Sequence, residues 1–234
     1  LKHYTPVPVP GPRLPHDMAF TENYSIMNDM PMFWNPEILK QGIHAVEYYP
    51  ELPTRFAVIP RYGNQEDIMW FEADPTYVLH WTNAYEEGDE IIMDGYFQEE
   101  PQPKSHPDAP KGFERMMAYL SQGLMKPKLH RWRFNMKTGE TTEQRLDDRI
   151  LEFGMINQKF AGRKYRYAYS AIPEPYWFLF KGIVKHDLET GQSWCYELGE
   201  GRYASESPFV PRIGATEEDD GYIISYVADV NSDT

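Results

Sequence analysis

The chain has 234 residues, of which 36 are acidic and 23 basic, giving a formal net charge of −13. A polyanion such as DNA is repelled by this charge, so we expect no nucleic-acid partner. Aromatic residues make up 15% of the chain, enough to build a buried core. Cys195 is the only cysteine, which excludes an internal disulfide framework and a thiolate metal cluster.

Short apolar runs bounded by turn residues dominate the chain, and they predict β-strands. The predicted strands cover residues 54–59, 77–81, 90–97, 129–134, 165–169, 177–184 and 222–227. Apolar residues at helical spacing predict one short helix over 112–125, after a surface loop over 98–110. Cys195 lies in the short run 193–196 and is predicted to be a buried structural thiol on a strand.

One five-residue turn occurs twice, at residues 135–139 and 187–191, and each copy ends in Thr-Gly. Each copy follows an apolar strand, which predicts a hairpin with glycine at the left-handed position. A spacing of about 50 residues is typical of four-stranded propeller blades. We therefore expect an all-β propeller rather than a sandwich. His186, beside the second turn, is predicted to be exposed.

Seven histidines are present, and none lies in a close pair such as His-x-x-x-His, so there is no local zinc motif. A metal site would have to be assembled from distant strands, as the central channel of a propeller allows. His16 and His80 each lie close to a polar, asparagine-containing stretch. Taken alone, either residue is read more readily as a structural hydrogen-bonding histidine than as a metal ligand.

Four segments resemble, in order, the sequence blocks of the carotenoid oxygenase family. Residues 16–24 resemble its His-Asp-x-x-x-Thr-Glu-Asn-Tyr signature, and residues 80–86 resemble its His-x-x-Asn-Ala-Tyr/Phe-Glu block. Two further pairs of segments resemble the third and fourth blocks, namely 148–153 with 162–169 and 206–212 with 215–222. The family includes carotenoid and apocarotenoid cleavage enzymes, lignostilbene dioxygenases and the retinoid isomerohydrolase of the visual cycle.

The resemblance implies a seven-bladed β-propeller with one Fe(II) on its axis, held by four histidines. His16 and His80 match the second and third ligands, and the other two are expected outside residues 1–234. The chain is therefore expected to be a single partial propeller domain, truncated at both ends, with about half of the blades and one short helical segment. By itself it is expected to be inactive.

The family's carboxylates that hydrogen-bond to the ligand rings map to Glu152 and Glu206. By the resemblance, Glu152 should hold His80, Glu206 should hold the fourth histidine, and the carboxylate for His16 should lie upstream. Two departures from the family's sequence pattern lie near Glu152 and Glu206. Gly154 replaces the usual proline, and residues 206–210 read Glu-Ser-Pro-Phe-Val instead of Glu-Pro-x-Phe-Val.

By the same resemblance, the expected activity is that of a non-heme Fe(II) dioxygenase, which cleaves a conjugated C=C bond with O2 into two carbonyl products. The expected partners are O2 and a lipophilic or aromatic olefin. The resemblance leaves open whether the substrate is a carotenoid, an apocarotenoid or a stilbene. The alternatives are an isomerohydrolase and a propeller that only binds a ligand or partner.

No run of about 18 apolar residues and no signal peptide is visible, so we expect a cytoplasmic protein. The apolar segment 30–39 is interpreted either as a loop that covers the core or as a patch in peripheral contact with a membrane. The acidic runs 86–90 and 217–221 lack the ligand spacing of a calcium loop and are predicted to be charged hairpin turns.

Overall fold

A computed structural model describes residues 1–42, 46–102, 121–175 and 177–232. Within these ranges the regular secondary structure is mostly β-strand, with two single-turn α-helices, α1 (Pro36–Leu39) and α2 (Gln122–Met125). Two 3-10 turns span Gln65–Asp67 and Gln158–Phe160. The strands are β1 (Ala19–Phe20), β2 (Tyr24–Asp29), β3 (Met32–Trp34), β4 (Val46–Tyr48), β5 (Thr54–Pro60), β6 (Met69–Ala73), β7 (Trp81–Glu87), β8 (Glu90–Gln98), β9 (Pro127–Asn135), β10 (Thr141–Arg145), β11 (Glu152–Met155), β12 (Tyr167–Pro173), β13 (Phe180–Asp187), β14 (Ser193–Glu197), β15 (Arg202–Ala204), β16 (Phe209–Pro211), β17 (Gly221–Ile223) and β18 (Val227–Asp229).

Three large antiparallel sheets follow one another along the chain. The first has the strand order β1-β2-β5-β6, and the second has the order β10-β9-β8-β7. The third runs β11-β12-β13-β15-β18, with β14 also paired to β13. In each sheet the strand that comes first in sequence lies at one edge, and β7 contacts both β1 and β11. The first strands of successive sheets therefore stand side by side, which is the arrangement of blades in a partial β-propeller.

The core lies between neighbouring sheets. Between the first and second sheets, Trp132 is fully buried against Phe56 and Trp81, with ring centroids 6.0 and 5.3 Å away. Between the second and third sheets, a smaller cluster contains Tyr96 and Leu129. The middle strands of the second sheet are buried on both faces, whereas the outer strand β14 is exposed at every residue.

The repeated turn forms two matching hairpins, β9–β10 and β13–β14. In each, the side-chain oxygen of the first residue, Asn135 or Asp187, accepts hydrogen bonds at 3.0–3.3 Å from the amides two and three residues ahead. The last residue, Gly139 or Gly191, has φ of 77° or 72°, a conformation that glycine adopts without steric cost. The predicted hairpins are confirmed, and they occupy equivalent places in two successive sheets.

The predicted strands 54–59, 90–97 and 129–134 fall inside β5, β8 and β9, whereas two other predictions were wrong. Residues 77–80 form no strand, because their polar groups find tertiary partners instead of a ladder. The backbone amide of Val78 donates to Met30 Sδ at 3.1 Å, and the carbonyl of Leu79 accepts from His16 Nδ1 at 3.0 Å. Residues 222–227 are split between β17 and β18, since β17 pairs with β16 and β18 pairs with β15.

The predicted strands 165–169 and 177–184 begin later than expected, at β12 and β13. The predicted helix is described only at its end, where α2 lies, and residues 112–120 are outside the described residues. Residues 103–110 of the predicted loop are outside them as well. The acidic run 86–90 does form the β7–β8 hairpin turn.

Two predictions of burial were also wrong. His186 is only 5% exposed, because β13 is enclosed by its neighbours, and its Nε2 donates to Asp147 Oδ2 at 2.8 Å. Cys195 is exposed, because β14 is the outer strand of its hairpin. Which strand of a sheet lies outermost decides both outcomes.

The apolar segment 30–39 packs mainly against the protein. Met30 and Met32 are buried, and the Phe33 ring stacks on Tyr49 with centroids 4.2 Å apart. The segment therefore covers the core, although as β3 and α1 rather than as a loop, and its contact with a membrane stays a prediction. Neither helix in the described ranges is long and apolar enough to cross a membrane.

Replacing Trp132 by Ala should lower the free energy of unfolding by about 3–5 kcal/mol, because the vacated space lies between two sheets that cannot close over it. Trp194, which is 51% exposed on β14, offers a matched control. Trp194→Ala should change stability by no more than about 0.5 kcal/mol. Urea denaturation measures both, and equal losses would contradict this placement of the core.

Candidate metal centre

The two candidate ligands and one candidate carboxylate lie at the starts of three neighbouring strands. His16 precedes β1 by three residues, His80 immediately precedes β7, and Glu152 is the first residue of β11. Because these strands stand side by side, the three side chains come together from distant parts of the sequence. The imidazole centroids of His16 and His80 are 5.1 Å apart, with the ring planes at 88°.

Both rings use the same nitrogen to bind the protein. His16 Nδ1 donates to the carbonyl oxygen of Leu79 at 3.0 Å, and His80 Nδ1 donates to Glu152 Oε2 at 2.7 Å. Neither acceptor can donate a proton, so in the neutral rings the proton lies on Nδ1. Each Nε2 therefore carries the free lone pair, which is the form in which imidazole binds a metal ion.

Two hydrogen bonds, made by His16 and Asp17 to the backbone on either side of His80, hold the two histidines close together. His16 binds the carbonyl of Leu79, and the neighbouring Asp17 accepts at Oδ2 from the amide of Trp81 at 3.0 Å. His80 lies between these two backbone anchors. No local sequence pattern predicts this role of Asp17, although its position directly after His16 is part of the first block.

The other polar residues of the blocks join neighbouring sheets. Glu86 accepts hydrogen bonds from the Thr21 hydroxyl at 2.6 Å and from the backbone and side chain of Asn23 at 2.9 and 3.0 Å. Asn83 bonds with three backbone groups of residues 160–163 at 2.9–3.1 Å. The first block is thus tied to the second, and the second to the third.

The electrostatics of His80 are dominated by its partner. The side chain of Glu152 is fully buried, whereas that of His80 is 26% exposed. Burial by itself lowers the pKa of His80, but the hydrogen bond and charge of Glu152, with the charges of Asp17 and Glu206, outweigh burial and raise that pKa above its ordinary value.

Glu206 is exposed and lies three residues before β16. Its charge acts on His80 without a hydrogen bond, and no described residue hydrogen-bonds to its carboxylate. Its assignment to a fourth histidine stays a prediction. The carboxylate expected for His16 also stays a prediction, since His16 Nδ1 binds a backbone carbonyl here.

A tight contact explains why glycine stands at position 154. A Cβ atom there would lie 2.9 Å from the Tyr96 hydroxyl and closer still to the Thr82 hydroxyl. Thr82 is at an irregularity of β7, two residues after His80, and its hydroxyl is buried. The backbone of β11 can pass this point only without a side chain, so the departure from the family's proline follows from its neighbours.

The residues present fit a metal of the Fe(II) type. Neutral imidazoles held by carboxylates or carbonyls suit such a metal, and one oxygen of the buried Glu152 is left without a partner among the described residues. Within the same ranges, no group of three or more His, Cys, Asp or Glu side chains is arranged to hold a metal ion. A metal ion here would therefore need donors beyond His16 and His80, and the assignment of these two histidines as ligands stays a prediction, as does that of the other two.

Replacing Glu152 by Gln should lower the pKa of His80, because the charge that favours the imidazolium is removed. In the wild type the ion pair stabilises the fold at low pH, and this contribution is lost as the pH rises through the raised pKa of His80. NMR titration of the metal-free protein measures the shift. Glu143→Gln is the control, since Glu143 pairs with His130 at 3.1 Å and should leave the titration of His80 unchanged. An unchanged pKa in Glu152→Gln would contradict the assigned pair.

Comparison with known proteins gives a consistent result. The family model described as retinal pigment epithelial membrane protein matches residues 1–234. Carotenoid 9,10(9′,10′)-cleavage dioxygenases of Crocus sativus and Arabidopsis thaliana are each 36% identical to the chain. In both cases the match covers 97% of this chain and 43% of the relative, so the chain spans less than half the length of these proteins.

Solved structures show the same relationship. The apocarotenoid oxygenase of Synechocystis superposes with a TM-score of 0.81 at 25% identity, over 96% of this chain and 46% of that protein. The same oxygenase has been solved in a cobalt-substituted form. Together, the match over the whole chain, the identity to the plant enzymes and the shared architecture show that this chain belongs to the carotenoid oxygenase family.

Proposed function

We propose that the protein containing this chain is an Fe(II)-dependent dioxygenase that cleaves a conjugated C=C bond of a carotenoid or apocarotenoid. The observation that carries the proposal is the pair His16 and His80, adjacent in space and each with Nδ1 committed to an acceptor. The names of the relatives support a carotenoid-class polyene over a stilbene.

The residues of this chain have distinct parts in such a site. His16 and His80 would present Nε2 to the metal, Glu152 keeps the proton of His80 on Nδ1, and Asp17 maintains the spacing of the rings. Fe(II), when bound, would supply the binding and activation of O2. Both oxygen atoms end in the products, because cleavage of one C=C bond by one O2 yields two carbonyl groups.

An apolar wall beside His80 suits a lipophilic substrate. Phe153 lies 4.5 Å from the imidazole centroid, and Phe178 and Phe180 pack edge-on against it. Because Phe153 and Phe180 are buried in this cluster, it keeps water away from one face of the His80 ring.

Activity of the full-length protein should disappear without O2 and in His80→Ala, which removes a ligand. Glu152→Gln should weaken metal binding about 10- to 100-fold, because the ring it orients is released. Glu143→Gln, the matched control, should retain both cleavage activity and metal affinity. Cleavage assays and the iron content of freshly purified protein test this.

Two other outcomes would replace the proposal. Undiminished turnover without O2 would favour an isomerohydrolase. An absence of bound iron in the wild type would favour a propeller that only binds a ligand.

The proposal includes a cytoplasmic location. It also includes peripheral contact with a membrane, because a polyene partitions into lipid. Phe33 and Trp34 are the half-buried aromatic residues of segment 30–39. Replacing both by Ser should reduce co-sedimentation with liposomes, while Trp194→Ala on β14 should not. Unchanged co-sedimentation of the double variant would remove this segment from the proposal.

A further inference from the structure

Phe153 has a backbone conformation that bulky residues rarely adopt. Its φ is 55°, and among the described non-glycine residues only Lys126 shares a positive φ. Lys126 ends helix α2, a usual place for the left-handed conformation. Phe153 lies inside strand β11, where this conformation costs free energy because Cβ crowds the following carbonyl oxygen. A cost of this kind at a functional site calls for a compensating role.

The conformation belongs to a β-bulge. Glu152 pairs with Ala171 and Met155 pairs with Tyr169, so β11 has one residue more than β12 over this stretch. In a regular strand, Glu152 and Phe153 would point to opposite faces of the sheet. A bulge re-aims a side chain, and here both residues contact His80.

The two contacts hold the imidazole in different ways. Glu152 Oε2 accepts from Nδ1 of His80 at the ring edge, and the same oxygen accepts from the amide of Phe153. The Phe153 ring covers the face of the imidazole, with centroids 4.5 Å apart and planes at 30°. The hydrogen bond fixes the position of Nδ1 but tolerates a tilt of the ring plane, because a carboxylate oxygen accepts over a broad range of angles. The aromatic face of Phe153 limits this tilt.

The Phe153 ring is itself fixed. Phe180 meets it edge-on with centroids 4.9 Å apart, and Phe178 does so at 6.1 Å. Phe153 is 7% exposed, so its ring has little freedom to follow a movement of His80.

We propose that Phe153 is a positioning residue that fixes the ring plane of His80, and with it the direction of the Nε2 lone pair. The left-handed bulge exists because it places Phe153 and Glu152 on the same side of β11. This inference rests on the proposed function, in which His80 binds the metal.

The test uses Co(II) binding to the metal-free full-length protein, followed by the visible ligand-field absorption of the bound ion. Phe153→Leu and Phe153→Met remove the flat face and keep an apolar side chain. Both variants should bind Co(II) about 10-fold more weakly, the lower end of the range for groups that orient a ligand. Their absorption bands should shift relative to the wild type, because one imidazole has lost its orientation.

Phe71→Leu is the matched control, since it removes a buried ring that packs on Phe134 and contacts neither Phe153 nor His80. It should lower thermal stability and leave the position of the bands unchanged. Unchanged bands and affinity in a folded Phe153 variant would overturn the inference. So would loss of folding in both Phe153 variants while Phe71→Leu folds, because Phe153 would then be a core residue only. A wild type that binds no Co(II) would instead overturn the proposed function.

Discussion

The hydrogen bond from Nδ1 of His80 to Oε2 of Glu152 is the interaction on which the site depends. It joins the first strands of two neighbouring sheets, and its acceptor is fully buried. A buried carboxylate is costly unless it is paired, so loss of the imidazole would leave a charge without compensation. The same oxygen also accepts the amide of Phe153. Sheet packing, tautomer and ring orientation are therefore coupled through one atom.

The polar residues of the family blocks serve the architecture as much as the chemistry. Apolar packing between sheets is not directional and tolerates small shifts of one sheet along another. The hydrogen bonds of Glu86 and Asn83 do not tolerate such shifts, because each needs two or more partners at once. A site whose donors come from separate sheets needs this precision, since a displacement of about 1 Å is enough to impair a catalytic geometry.

The sequence predicted what depends on local periodicity and turn chemistry. The strands around Ile92 and Trp132 and both Thr-Gly hairpins follow from such signals. Residues 77–80 and the break within 222–227 do not, because an apolar residue can be buried without a ladder and one apolar run can be divided between two sheets. The exposure of Cys195 and the burial of His186 depend on strand position in the assembled sheet. The pair His16 and His80 was identified from the family sequence blocks that contain them. No local sequence pattern predicts the bulge at Phe153.

The contact between Gly154 and Thr82 has a consequence for protein engineering. Consensus substitution, which replaces an unusual residue by the one its relatives prefer, is a common route to greater stability. At position 154 that route would fail, because the proline ring would need the space now occupied by the hydroxyls of Thr82 and Tyr96. The residues Thr82, Tyr96 and Gly154 can therefore change only together. A proline at position 154 would fit only after β7 and β8 had been rebuilt around it.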